Sequence, residues 1–440
     1  SDGSKLIFQS EREAGNPFYQ IYTIDFKTGH TVRVSPGFGK TTCAFFHPSG
    51  QNVLFASTHH DLRAKAKQKA ELEFRATGKQ RRYSWDYDET MDIFTADNNG
   101  GNLRQLTTAK GYDAEAGFSP NGKKIVFSST RSAYVNDLTE EEEKLRDIDL
   151  SYFGEIYIMN ADGSEQVRLT QSPGYDGGPF FSPNGQRIVW RRFNKSGSVA
   201  EIHTMKLDGS DVRKITSFKS MSWAPYFHPS GEYIIFASNK LGFSNFELYL
   251  VDSLGLCEPI RVTERVGFDG LPVFSPNGLQ LCWTSNATSE KQSQLFLAKW
   301  NHQAALSILS RSPKREIELD KRSSIVLKDN IKKHVEFLAS DKLEGRRTGS
   351  EGIRKAAKYI REQLLASGLK PLGSKDGSYE HNFEFTGGVE LDKPNNQMIL
   401  RGHTGEDHTF DLDKDFRPLA FSANGQIEGE VIFAGYGLTK

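Results

Sequence analysis

Cysteine is scarce: Cys43, Cys257 and Cys282 are the only three in 440 residues. An odd number without metal-ligand spacing argues against a disulfide framework or a thiolate zinc site, and leaves the redox compartment undecided. Cys43 and Cys282 fall in strand patterns, where a buried inert thiol is expected. An excess of charge of one sign is missing as well. Lys plus Arg and Asp plus Glu number 56 each, for a net charge of zero, so nothing favours a nucleic acid or an anionic membrane as partner. No apolar run approaches the ~18 residues that span a bilayer. No secretion signal stands at the start, where residues 1–8 already read as strand, which leaves room for a leader upstream in a parent protein. The Gly-x-Ser-x-Gly elbow of serine hydrolases is also lacking.

What is present is a phrase that returns. Phe118-Ser119-Pro120-Asn121-Gly122 leads into Ile125-Val126-Phe127, and Phe46-His47-Pro48-Ser49-Gly50 into Val53-Leu54-Phe55. Copies end at Gly185, Gly231 and Gly278, and Ser1-Asp2-Gly3 is a sixth with its front cut away. The glycines are spaced by 47, 72, 63, 46 and 47 residues, and a basic period near 46 matches one four-stranded propeller blade. Within a copy, an apolar strand ends at Phe, a Pro–Asn/Ser–Gly turn closes through a residue free to take positive φ, and a β-rich strand returns. A third strand follows (Glu155-Ile156-Tyr157), then an Asp-Gly-type turn and a fourth (Val167-Arg168-Leu169-Thr170). Six such units predict a mainly β fold, a six-bladed propeller over residues 1–310. The first blade lacks its innermost strand, and closure by residues upstream of Ser1 is expected.

Two of the steps are long, and both inserts fall between second and third strands, so they rise from one rim. The first, about 58–89, is basic and rich in helix formers; the second, about 131–154, carries Glu140-Glu141-Glu142-Glu143. Pairing of the two through opposite charge is one expectation, a lid or docking surface over the channel mouth the other. On the same face, five residues before each repeat's Phe, stand Asp113, Asp176 and Asp269. They are candidates to fringe the channel and hold a cation or a peptide amino group; the alternative is that each caps its own turn through backbone N–H groups. His59-His60-Asp61 imitates a metal cluster, but adjacent strand residues point to opposite sides, which favours a polar loop.

After Ser310 the period changes. Residues 311–323 are charged and read as a linker. Ile331, Val335 and Leu338 predict an amphipathic helix over 329–339, and Ser350 opens a second with Ile353, Ala356, Ile360 and Leu364 on one face, ended by Gly368 and Pro371. Between them Gly345, Arg346 and Arg347 form a candidate inter-domain loop. His403 to His408 lies between two strand-like runs and reads as a hairpin loop.

The repeats resemble the propeller of TolB and its relatives, over residues 1 to about 310. That resemblance implies a protein- or peptide-binding module and a periplasmic or secreted setting. Asn330-Ile331-Lys332-Lys333-His334 through Gly349-Ser350, with Ala356-Ala357-Lys358-Tyr359-Ile360 and Gly368-Leu369-Lys370-Pro371, resembles the opening of the di-zinc aminopeptidases of metallopeptidase clan MH. The fold class expected is therefore a TolB-like propeller plus a small C-terminal α+β segment of a zinc-peptidase domain: helical over 324–386, then β over 387–440. Ser422 to Gly437 resembles the approach to a protease-associated insert. The family's zinc ligands lie beyond that insert, so no catalytic or metal-binding residue and no cofactor is expected in this chain. Two zinc ions are expected in the parent protein, and the remainder of the peptidase domain beyond Lys440 as a structural partner.

Overall fold

Strand pairing follows the repeat. The first sheet holds β1 (Lys5–Ser10), β2 (Gln20–Asp25) and β3 (Thr31–Arg33). The second holds β4 (Thr41–Phe46), β5 (Asn52–Ser57), β6 (Asp92–Asp97) and β7 (Arg104–Gln105). The third holds β8 (Asp113–Phe118), β9 (Lys124–Ser129), β10 (Glu155–Asn160) and β11 (Val167–Arg168). The fourth holds β12 (Asp176–Phe181), β13 (Arg187–Phe193), β14 (Ala200–Lys206) and β15 (Arg213–Lys214). The fifth holds β16 (Ser222–Phe227), β17 (Tyr233–Ser238), β18 (Glu247–Asp252) and β19 (Ile260–Arg261). The sixth holds β20 (Asp269–Phe274), β21 (Gln280–Ser285) and β22 (Gln294–Lys299). All pairs are antiparallel.

This computed structural model describes residues 2–79, 86–134, 138–172, 174–290, 292–316, 318–319, 334–366, 371–373, 378–381, 391–419 and 423–431. Two compact units are present, residues 1–327 and 328–440. In the first, the second strand of each blade is sandwiched between neighbouring sheets, so it reads as an unbroken apolar run rather than an alternating one. Val53, Leu54 and Phe55 are wholly buried, as are Ile125, Val126 and Phe127, and Ile188, Val189 and Trp190. All six repeat glycines take positive φ, from 67° to 80°, a conformation that costs a side-chain-bearing residue roughly 1 kcal/mol or more. The turns at Gly3, Gly122, Gly185 and Gly278 also lean on a neighbouring blade. A methyl group on Gly185 would sit 3.6 Å from Pro120 of the preceding blade, and one on Gly3 would sit 3.4 Å from Pro276. The first blade thus meets the sixth as the fourth meets the third, and the sheets form a six-bladed propeller.

Two devices recur around the ring. Every innermost strand from β4 on breaks register after its second residue and places its third, Cys43, Glu115, Gly178, Ala224 or Leu271, at positive φ. Such bulges re-aim side chains where a strand borders a channel. Further out, a Ser or Thr beyond the outer strand brackets the start of the third strand. Thr216 Oγ1 donates to Glu201 at 2.5 Å while accepting from Ile202 N at 2.9 Å, and Thr263 does the same for Glu247 and Leu248. Thr107, Thr170 and Ser35 complete the set on Asp92, Glu155 and Gln20. A buried carboxylate needs such partners.

The inserts lie where the spacing places them. Helix α1 (Ala64–Ala76) follows β5, and α2 (Glu140–Ile148) follows β9, opened by a Thr139–Glu142 capping box. They do not pair with each other: among the described residues no ion pair joins the glutamates of α2 to α1. Lys67 of α1 binds Asp61 and Asp88 of its own insert instead, at 2.8 and 2.9 Å. After α3 (His302–Arg311), the first part of the charged stretch read as a linker is fastened down. Glu258 N donates to Pro313 O, Arg315 binds Ile215 O and Ser217, and β23 (Glu318–Leu319) pairs with β15 as a fifth strand. The rest of it, 320–323, lies outside the described residues.

The second unit has little core. Residues 334–338 are helical, 341–346 form a 3-10 turn, and α4 (Glu351–Ala366) begins where Ser350 Oγ accepts from Ile353 N at 3.3 Å. His334 bonds Tyr359 at 2.7 Å, and Phe337 stacks on the same ring. β24 (Met398–Arg401) and β25 (Asp407–Phe410) make a hairpin whose loop holds His403. The start of the first helix, 329–333, the end signal Gly368, residues 382–390, and residues 422 and 432–437 lie outside the described residues.

Candidate functional site

Asp113, Asp176 and Asp269 open the innermost strands of the third, fourth and sixth blades, all on the rim that carries the inserts. Two of them are committed to ion pairs. Asp113, wholly buried, accepts from Ser129 Oγ and from Arg131 Nη2, both at 2.5 Å. Burial pushes its carboxyl up to about 6, against the opposing pull of Arg131. Asp176, also wholly buried, takes a two-pronged grip from Arg192 at 2.8 and 2.7 Å, the strong geometry for guanidinium and carboxylate. Among the described residues neither carboxylate caps its own turn through the backbone. Asp269 faces Ser285 in register, and its carboxylate has no hydrogen bond or ion pair among the described residues.

Repeat reading misses a third charged pair. Glu115 of the third blade accepts from Gly178 N at 2.5 Å and from Arg191 Nη2 at 2.9 Å. Arg191 lies over Tyr175 and Trp223, 5.2 and 5.8 Å from their ring centres. A Cβ at Gly178 would stand 2.2 Å from Arg191 Nη1, so a side chain there would push the end of the arginine aside. The signal was the doublet Gly177-Gly178, unlike any other innermost strand.

Beyond the channel, the arch formed by residues 131–134, α2 and residues 150–153 overhangs the outer strands of the third blade and leaves a cleft of about 720 Å³. Lys110, Arg131, Tyr134, Tyr152, Tyr157 and Arg168 line it. Helix α2 buries no side chain, whereas Ala133 and Phe153 on either side of it are buried, so only the helix stands off the blade. Its floor includes Arg168, bound to Glu155 at 2.8 Å. Burial, reinforced by Asp176 and resisted by Arg168, raises the Glu155 carboxyl to about 7. The fifth and sixth blades present an apolar rim instead: Phe243 is 84 % and Val266 93 % exposed, on loops joined by Gly267 N to Asn245 Oδ1 at 3.0 Å. Leu271, at the bulge of β20, is half exposed.

The paired histidines serve locally. His60 binds Asp92 at 2.9 Å and His59 bonds Ser57. Their rings lie 5.8 Å apart and both pack on Phe94, so they are not on opposite sides: β5 ends at Ser57, before strand alternation reaches them. Among the described residues no group of three His, Cys, Asp or Glu side chains is placed to hold a metal, and no helix is long and apolar enough to cross a membrane. Gly345 sits in a run of left-handed residues, Glu344 to Arg346 (φ 48°, 69° and 56°). Gly345, Arg346 and Arg347 are exposed, and neither arginine forms an ion pair among the described residues.

The family described as TolB beta propeller domain matches residues 151–312. A protein named TolB homolog from Chlorobium chlorochromatii is 26% identical over 124 residues, 23% of this chain and 28% of that protein. An uncharacterized protein of Agrobacterium fabrum is 30% identical over 113 residues, 26% of this chain and 32% of its own length. The matches thus span less than a third of these relatives. The crystal structure of TolB from Acinetobacter baumannii aligns with a TM-score of 0.48 at 18% identity, over 68% of this chain and 62% of that one.

Proposed function

Taking a TolB-like six-bladed propeller as given, we propose that this chain is the N-terminal portion of a secreted or periplasmic zinc metallo-aminopeptidase whose propeller screens or recruits peptide substrates. The observation that carries the reading is the poverty of the second unit's core. Leu343 and Ala356 are its only buried apolar side chains among the described residues, while Ile360, Met398, Ile399 and Leu400 are exposed. A unit this thin does not hold itself together, which fits a fragment of a larger domain, and its residues 330–371 are the ones that resemble the opening of such peptidases. Zinc would supply the activated water in the complete enzyme. The part proposed for this chain is binding. Gly345, Arg346 and Arg347 would brace the rest of the catalytic domain.

For the propeller, the peptide amino group is assigned to Asp269, the one of the three aspartates not already neutralised by an arginine, with apolar side chains received by Leu271, Phe243 and Val266. Hydrolysis of aminoacyl anilides with added zinc tests the parent assignment: no turnover by residues 1–440, turnover by a longer polypeptide. Turnover by the short chain would contradict it. A second reading, a non-enzymatic TolB-like binding scaffold, is favoured by the family match confined to 151–312. A reading frame ending at Lys440 would select it.

A further inference from the structure

The second insert covers ground that the repeat leaves open elsewhere. On the third blade Tyr157 and Arg168 face each other in register across β10 and β11, so their side chains share one face, and Arg168 Nη2 holds Glu155 at 2.8 Å. The fifth blade repeats this floor: Tyr249 and Arg261 are partners across β18 and β19, and Arg261 Nη2 holds Glu247 at 2.7 Å. There β17 passes to β18 through the short loop 239–246, whereas between β9 and β10 the chain rises through the arch. Since α2 buries no side chain, packing into the core does not account for it. The cleft of about 720 Å³ beneath it is of the size that takes a small molecule.

What this cleft presents is an excess of donors. Tyr157 is only 7 % exposed, and its hydroxyl, at the cleft wall, makes no hydrogen bond among the described residues. Burial raises that hydroxyl above its ordinary range, so it stays protonated and can donate. Arg131 lies over the same ring, 5.0 Å from its centre. Arg168 commits Nε to Thr170 O and Nη2 to Glu155, while its Nη1 is unbonded among the described residues. The hydroxyls of Tyr134 and Tyr152 are open in the same sense, and Lys110 lies over the Tyr134 ring at 4.7 Å. Asp113 and Glu155 stand against the two arginines. Burial and Asp176 raise the Glu155 carboxyl to about 7, so at neutral pH it offsets Arg168 only in part.

We propose that this cleft binds a small oxyanion, a carboxylate or a phosphate borne on an aromatic or apolar body. Its oxygens accept from the Tyr157 hydroxyl and Arg168 Nη1, and its body lies against Tyr134 and Tyr152. An oxyanion is the acceptor such donors hold best, because charge-assisted hydrogen bonds are shorter and stronger than neutral ones. The rings and Leu145 of α2, which also lines the cleft, supply the surface that a bare inorganic ion would leave uncovered. The site is separate from Asp269, which opens the innermost strand of the sixth blade, so it does not depend on peptide binding at the rim.

Ligand-observed NMR titration of residues 1–440 tests it, with N-acetylphenylalanine and phenyl phosphate as probes and N-acetylphenylalaninamide and inorganic phosphate as their controls. Saturable binding of at least one probe, about ten-fold tighter than its control, is expected. Binding of the first probe alone identifies the carboxylate, and of the second alone the phosphate. Tyr157→Phe removes only the unbonded hydroxyl and is expected to weaken the probe about five-fold with the unfolding midpoint unchanged. Tyr249→Phe, on the uncovered fifth blade, is expected to leave binding as it is. Should Tyr157→Phe lower the midpoint, Lys110→Ala at the exposed mouth takes its place, with a weakening of about three-fold expected. No saturable binding of either probe, probes and controls of equal affinity, no loss in Tyr157→Phe, or an equal loss in Tyr249→Phe would each overturn the proposal.

Discussion

The fourth and sixth blades begin their innermost strands with the same residue and use it differently. Asp176 is gripped by Arg192 at the facing register position, whereas Asp269 faces Ser285. The repeat dictates where a carboxylate stands; the residue opposite decides whether an arginine neutralises it. The third blade, with Arg131 on Asp113, falls on the structural side.

The sharpest way to break that contrast is Arg192→Ala, which leaves the buried Asp176 carboxylate without its cation. It should destabilise the propeller by about 3–5 kcal/mol in urea unfolding. Thr216→Val comes next: it strips Ile202 N of its partner and leaves Glu201 with Lys219 N, and about 1–3 kcal/mol is expected. Glu155→Gln sharpens the comparison through pH. The Glu155 carboxyl is raised from 4.5 to about 7, so between these values the folded state holds a proton that the unfolded chain has released. That contribution is complete below pH 4.5 and lost above pH 7. Thermal midpoints of the variant should therefore gain on the wild type as pH rises from 5 to 8; a constant difference would contradict the assignment. Smallest is Asp269→Asn: the residue is buried, but no ion pair among the described residues is lost, so a change of about 1 kcal/mol or less is expected.

The ring was legible because its turn chemistry is demanding. Gly122 and its five counterparts must take positive φ, and the Phe before each turn is packed between blades, so both residues recur at fixed places. The positions of Asp113, Asp176 and Asp269 were legible for the same reason. Their partners were not, since each innermost strand carries a bulge that shifts the pairing, and simple alternation then misassigns what faces what. Glu115 and Arg191 are 76 residues apart on different blades, a contact with no local pattern. The Thr and Ser brackets were visible as a recurring hydroxyl two residues past Arg, Lys or Gln, but a strand reading absorbs them. In the second unit, the hairpin around His403 and the start of α4 at Ser350 follow from local signals alone.

The claim that the apolar side of the rim binds peptide is tested most directly by tryptophan fluorescence titration. Peptides with a free amino terminus and an apolar first residue, and the same peptides acetylated, are added to wild type and to Asp269→Asn. Saturable binding of the free peptides to wild type, weakened at least ten-fold by acetylation or by the substitution, is the predicted result. Equal affinity of both peptides for both proteins, or no binding at all, would contradict the account.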